Sequence, residues 1–143
     1  MTVASIAAAL GGVETLKSDM QSEFDLASAA MVGFSAQTAT KLLENGLLAP
    51  DELYELVIPR RTFDRRLEHG QPLTVAESDR LLRAARVIVH ANEALGSREK
   101  GATWLRTANR ALRGMTPLAL LETDVGARMV ERALGRIEHG VYS

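Results

Sequence analysis

Residues 104–143, WLRTANRALRGMTPLALLETDVGARMVERALGRIEHGVYS, contain the only Trp of this 143-residue chain and its densest apolar periodicity. Trp104, Leu105, Asn109 and Leu112 predict a short helix that stops at Gly114. Thr116-Pro117 predicts the next helix start, with Thr as cap and Pro at the first helical position, where its missing N–H removes no bond. An apolar turn, Leu118 to Leu121, follows. Thr123 or Asp124 then opens a longer helix whose apolar positions Val125, Met129, Val130, Ala133, Leu134 and Ile137 recur at steps of three and four, ending at Gly140. Gly126 and Gly135 inside that helix each cost roughly 1 kcal/mol against Ala, so both are expected where another backbone approaches closely. Trp104 is expected to be largely buried against the Leu118–Leu121 turn and the last helix.

Upstream of this stretch, Ser97 caps the helix leading into Trp104. Thr74-Val75-Ala76-Glu77 is a capping box, in which the Thr hydroxyl takes the Glu77 amide and the Glu carboxylate reaches back to Thr74. It opens a helix of about 20 residues, roughly 30 Å long, with Leu81, Ala84, Ala85, Ile88, Ala91 and Leu95 as its apolar stripe and Gly96 as its stop. That helix reads as a central core element, with a dimer seam as the alternative. Earlier still, Ser35 caps a helix carrying Ala39, Leu42 and Leu43, which Asn45-Gly46 terminates. Pro50-Asp51 starts a second, with Leu53, Leu56 and Val57, and it ends at Ile58-Pro59 because Pro disfavours helical geometry in the residue before it. A third runs from about Arg60 to His69, closed by Gly70. Residues 1–33 show an apolar start, Gly11-Gly12 and an acidic polar run, expected to form one or two loose helices or a partly disordered arm that docks on the core.

Composition sets the class. Aromatics are 4% of the chain while 46% is hydrophobic, a balance that favours helices, since strands draw on aromatic and β-branched residues. An all-α fold is expected. Without Cys there is neither a disulfide framework nor a thiolate metal site. Thr2 to Leu10 lacks a basic flank and is too short to span a bilayer, so a cytoplasmic protein with no membrane partner is expected. Net charge is −1, but residues 1–49 carry −3 whereas residues 71–143, with eleven Arg/Lys against eight Asp/Glu, carry +3. That asymmetry alone is too weak to establish nucleic-acid binding.

Two short helices separated by a tight break, the second rich in Arg, are what a helix-turn-helix requires: one positions, the other enters the major groove. On the second, Arg61 and Arg65 share a face at i, i+4, flanked by Arg60, Thr62 and Arg66, while Phe63 and Leu67 anchor the opposite side. The competing reading is an ordinary solvated helix in which Asp64 and Glu68 offset the arginines. On the last helix, Arg128, Arg132 and Arg136 line up at i, i+4 and i+8, suited to an acidic partner or phosphates, or simply to solvent. Beyond Gly140, Val141, Tyr142 and Ser143 form a short tail in which the amphipathic ring of Tyr142 fits an interface anchor. The three His read as surface residues near helix ends, with no H-E-x-x-H spacing, and neither a G-x-G-x-x-G nor a Walker pattern occurs. Nothing here points to an enzyme, a cofactor or a metal.

Trp104-Leu105, Asn109, Leu112, Gly114, Pro117-Leu118, Leu121, Thr123, Gly126, Val130, Leu134, Arg136-Ile137 and Gly140-Val141-Tyr142, in this order, resemble the C-terminal toxin-binding domain of the Xre/MbcA/ParS family of bacterial antitoxins. One departure is Ala108, where relatives often place Pro. Pro59 to Arg66, with its Arg-Thr pair and later Arg, resembles the Xre-like helix-turn-helix of the same family. Together with the residue pattern, the resemblance divides the chain into a helical arm over 1–34, a helix-turn-helix region with its long connecting helix over 35–95, and a toxin-binding domain over 96–143. It further implies a RES-domain toxin partner that consumes NAD, an antitoxin homodimer, autoregulation through operator DNA, and occlusion of the toxin's NAD cleft by the antitoxin's C-terminal region. The residues so implicated are Arg128, Arg132, Arg136, His139, Val141, Tyr142 and Ser143 for the toxin, and Arg60, Arg61, Thr62, Arg65 and Arg66 for DNA. A stand-alone helix-turn-helix regulator is the alternative.

Overall fold

Helices start where a side chain can take up the free amides of the first turn, and this chain supplies such a device repeatedly. A computed structural model describes residues 1–140, among which are nine α-helices, two 3-10 turns and no strand. The chain divides into two compact units, Met1–Ala85 and a second that begins at Arg86, the boundary falling within the longest helix.

The first unit contains α1 (Val3–Ala9), α2 (Gly12–Leu16), α3 (Glu23–Val32), α4 (Gln37–Glu44), α5 (Pro50–Leu56), α6 (Arg60–His69) and the first turns of α7 (Val75–Leu95). Its N-terminal third is better built than expected: three helices form there instead of one or two, and Ile6, Leu10, Leu26 and Ala30 are buried. Reciprocal caps explain this. Thr2 and Ser5 cap α1, and at α3 the Ser22 hydroxyl accepts from the Asp25 amide at 3.2 Å while the Asp25 carboxylate accepts from the amides of Gln21 and Ser22. Gly33 follows α3 at φ +106, and a Cβ there would overlap the Leu73 carbonyl oxygen. That close approach lets the Leu73 amide donate to the Phe34 carbonyl at 2.8 Å, while the Phe34 amide donates to the buried Ser78 hydroxyl at 2.9 Å.

The α4–α6 stretch follows the expected punctuation. Pro50 occupies the first turn of α5 and Gly70 takes a left-handed conformation after α6, but α4 has Ala36 rather than Ser35 at its cap position, the Ser35 hydroxyl accepting from the Gln37 amide just before the helix. Val57 and Ile58, both 1% exposed, anchor the break between α5 and α6. The Thr74–Glu77 capping box forms as expected, with both of its hydrogen bonds present at 2.9 and 3.1 Å. Along α7 the expected stripe is buried except at Leu95, and Val87 and Val89 are buried with it.

The second unit comprises the later turns of α7, α8 (Arg98–Leu105), the 3-10 turns Arg110–Leu112 and Ala119–Glu122, and α9 (Asp124–Glu138). Ser97 caps α8 and Thr123, rather than Asp124, caps α9. Four expectations need correction. Residues 104–114 are not one helix, because the Asn109 side chain competes with the helix by accepting from the Ala111 amide at 2.9 Å, and its backbone pairs with Met115. Trp104 is only half-buried: Leu105, 1% exposed, takes the core position instead, and its carbonyl accepts from the Leu118 amide at 2.9 Å. Val125 is 63% exposed, on the solvent side of the first turn of α9. Gly135 has open space where its Cβ would be, so no close packing demands a glycine there.

Gly126 does sit where expected, for a Cβ would overlap the backbone carbonyl oxygen of Leu120 in the preceding 3-10 turn. Helix propensity favours Ala by roughly 1 kcal/mol, but the clash is with backbone and cannot be relieved by a rotamer change. Gly126→Ala is therefore expected to destabilise the protein by about 1–3 kcal/mol, read as a lower urea midpoint, whereas Gly135→Ala should raise it.

Candidate functional site

On α6 only Phe63 is fully buried, so nearly the whole helix is displayed. Arg60, Arg61, Asp64, Arg65, Glu68 and His69 are exposed, and Arg60 lies 3.8 Å from Asp64 in a solvated pair worth little. Arg61 and Arg65 stand one turn apart with no carboxylate partner among the described residues, and Thr62 is half-buried beside them. This is a surface with donors free for phosphate oxygens or base edges.

Arg66 is employed differently. Its guanidinium makes two hydrogen bonds of 3.3 Å to the two oxygens of Glu77, with the two side chains 17% and 8% exposed. Burial pushes the Glu77 carboxyl up, but the Thr74 amide and then the Arg66 contact outweigh it, leaving the group below the ordinary carboxylate range. Of the five residues expected to meet DNA, Arg60, Arg61 and Arg65 are therefore exposed on α6, Thr62 is half-buried among them, and Arg66 fastens that helix to the start of α7.

In the second unit, α9 is tied to α7 at two points. Arg86 donates to Glu131 at 3.0 Å, and His90 Nε2 lies 2.6 Å from Glu138 Oε1. The His90 side chain is only 12% exposed, correcting the expectation of a surface histidine near a helix end. Its hydrogen bond is the main cause of the lowered carboxyl of Glu138. With Glu131 and Glu138 turned to α7, α9 leaves Arg128, Arg132 and Arg136 exposed. Arg128 pairs with Asp124 one turn before it, while Arg132 and Arg136 have no carboxylate partner among the described residues. His139 is exposed, its Nδ1 2.7 Å from the Gly135 carbonyl. Val141, Tyr142 and Ser143 lie outside the described residues. Sequence reasoning missed Glu77 as the partner of Arg66, and missed the Arg86–Glu131 and His90–Glu138 pairs, because each joins residues on different helices.

These two surfaces coincide with two domain matches. The family model of the antitoxin Xre-like helix-turn-helix domain matches residues 25–86, and that of the antitoxin Xre/MbcA/ParS C-terminal toxin-binding domain matches residues 90–140. The chain is 38% identical over 122 residues to the antitoxin Xre of Pseudomonas putida strain KT2440, covering 85% of this chain and 76% of the relative. This chain belongs to the Xre/MbcA/ParS antitoxin family. It is 40% identical over 87 residues to the antitoxin Xre of Yersinia enterocolitica, covering 60% of this chain and 59% of that one. A more distant relative, the Prs ADP-ribosylating antitoxin of Sphingobium sp. strain YBL2, is 30% identical over 93 residues, 57% of each chain. Within this antitoxin, α5 and α6 fall in the helix-turn-helix domain, and α8, both 3-10 turns and α9 in the toxin-binding domain.

The Arg66–Glu77 contact gives the helix-turn-helix domain an acid-sensitive joint. Because the Glu77 carboxyl is lowered in the folded state, its contribution is complete above its unfolded pKa of about 4.5 and is lost as pH falls through the folded value. Arg66→Ala is expected to cost about 2–3 kcal/mol at neutral pH by leaving the carboxylate unpaired. Glu77→Gln should flatten the fall in melting temperature on acidification, which thermal scans of parent and variant at matched salt would measure.

Proposed function

We propose that this antitoxin neutralises a RES-domain toxin that consumes NAD, by covering the toxin's NAD cleft with the segment after α9, and that it represses its own operon through α6. The observation that carries the reading is the toxin-binding domain match over residues 90–140, which ends where the proposed inhibitory tail begins. Arg132, Arg136 and His139 would flank that tail, joined by Arg128 once it exchanges Asp124 for the toxin. Such rim charges add on-rate and specificity more than affinity. Tyr142 would supply the anchor, and inhibition would be steric, with this chain acting as a binding protein and not as an enzyme. The name of the Sphingobium relative, an ADP-ribosylating antitoxin, supports a partner whose chemistry starts from NAD. The DNA contact would run through Arg60, Arg61, Thr62 and Arg65. A homodimer would match two half-sites on operator DNA, in the cytoplasm.

Co-expression with the protein encoded beside this chain's gene tests the reading. Growth should be rescued by the parent chain, and deletion of Val141 to Ser143 should restore NAD consumption while the complex still forms. Full inhibition by the truncated chain would move the inhibitory surface back onto the helices. For the DNA contact, replacing Arg61 and Arg65 with Ala should weaken binding to the upstream operator fragment by tenfold or more and reduce its dependence on salt. Toxin neutralisation should be unchanged. A stand-alone regulator would instead bind the operator and rescue nothing.

A further inference from the structure

From Lys100 to Leu121 the chain contains no Asp or Glu, yet it carries Lys100, Arg106, Arg110 and Arg113. The part of this segment that holds Arg110 and Arg113 is pinned by backbone hydrogen bonds. The Asn109 amide donates to the Met115 carbonyl at 3.0 Å, the Gly114 amide to the Asn109 carbonyl at 2.8 Å, and Leu112, 4% exposed, roots the 3-10 turn in the core. Arg110 opens that turn and Arg113 follows it; both are exposed, and neither has a carboxylate partner among the described residues. Met115, 46% exposed, stands two residues further on.

The backbone at Arg113 adds a second, independent observation. Its φ is +58, a left-handed conformation that is unfavourable for a side chain of this kind and free for glycine. Strain of this sort persists where the surrounding structure enforces it, and it concentrates at functional positions. An arginine held there, exposed and unpaired, keeps a side chain the fold would do better without.

We propose that the 3-10 turn carrying Arg110 and Arg113, with Met115, is a second docking surface for the toxin, fitted to an acidic patch with an apolar centre. Arg and Met are the residue types enriched where proteins meet proteins, and an exposed Met beside two arginines fits such a patch better than a phosphate backbone. The turn is a different element from α9, which carries the Arg128, Arg132 and Arg136 stripe. The inference rests on the toxin-binding reading above.

Arg113→Gly is the decisive variant, because it removes the side chain while relieving the backbone, so the fold should melt at the parent temperature or higher. Its affinity for the protein encoded beside this chain's gene should nevertheless fall several-fold. Arg110→Glu combined with Arg113→Glu should weaken the complex by tenfold or more at low salt, with the difference shrinking at high salt. Parent-like toxin affinity in both variants overturns the proposal while leaving the toxin-binding reading intact. So does a loss confined to operator binding, which would make the turn a nucleic-acid contact. If the parent itself forms no complex with that protein, the toxin-binding reading fails and this proposal fails with it.

Discussion

The carboxylate of Glu77 sits at the start of α7, accepts from the Thr74 amide and holds both nitrogens that Arg66 offers from α6. Removing a charge from water this far is unfavourable unless every lone pair finds a donor, and here the donors come from the two elements whose mutual orientation matters. Three residues further along α7, Arg80 Nε donates to the Val57 carbonyl at 2.9 Å, in the break between α5 and α6. The first two turns of α7 thus fasten α6 near both of its ends. With Phe63 buried between, these contacts hold α6 with Arg61 and Arg65 exposed.

Later turns of the same helix serve the second unit in the same manner. Arg86 and His90, one turn apart on α7, reach Glu131 and Glu138, two turns apart on α9. Pairing Glu131 and Glu138 with α7, while Asp124 pairs with Arg128 at the surface, leaves Arg132 and Arg136 as the outward charge of α9, so a helix of balanced composition presents a basic face. The packing of Gly126 under the Leu120 carbonyl sets the other end of α9.

Local signals were legible and lateral ones were not. Caps written in the usual residue types, at Thr74 with Glu77, at Ser97 and at Thr123, placed three helix starts. The caps of α1 and α3 use Ser5 and Asp25 in the third position, outside the usual Glu or Gln, so the N-terminal helices were underestimated. Trp104 misled because two adjacent apolar residues on a helix point about 100° apart, and it is Leu105 that is buried, its carbonyl accepting from Leu118, a residue beyond the helix. Of the candidate sites, α6 and the α9 stripe were readable from spacing. The role of Arg66 was not, since its partner lies eleven residues away on another helix.

The arginines of this chain therefore divide by partner rather than by position. Arg66 and Arg86 have carboxylates and hold helices together; Arg61, Arg65, Arg110, Arg113, Arg132 and Arg136 have none among the described residues and remain available for recognition. The distinction is energetic. For Arg66 to turn toward a phosphate it would have to leave a mostly buried carboxylate without its charge partner, a loss larger than one exposed phosphate contact returns. Arg61, one face away on the same helix, gives up only water. A cluster of arginines counted along the sequence thus overstates a binding surface, and the correction comes from asking which carboxylate each guanidinium would have to abandon.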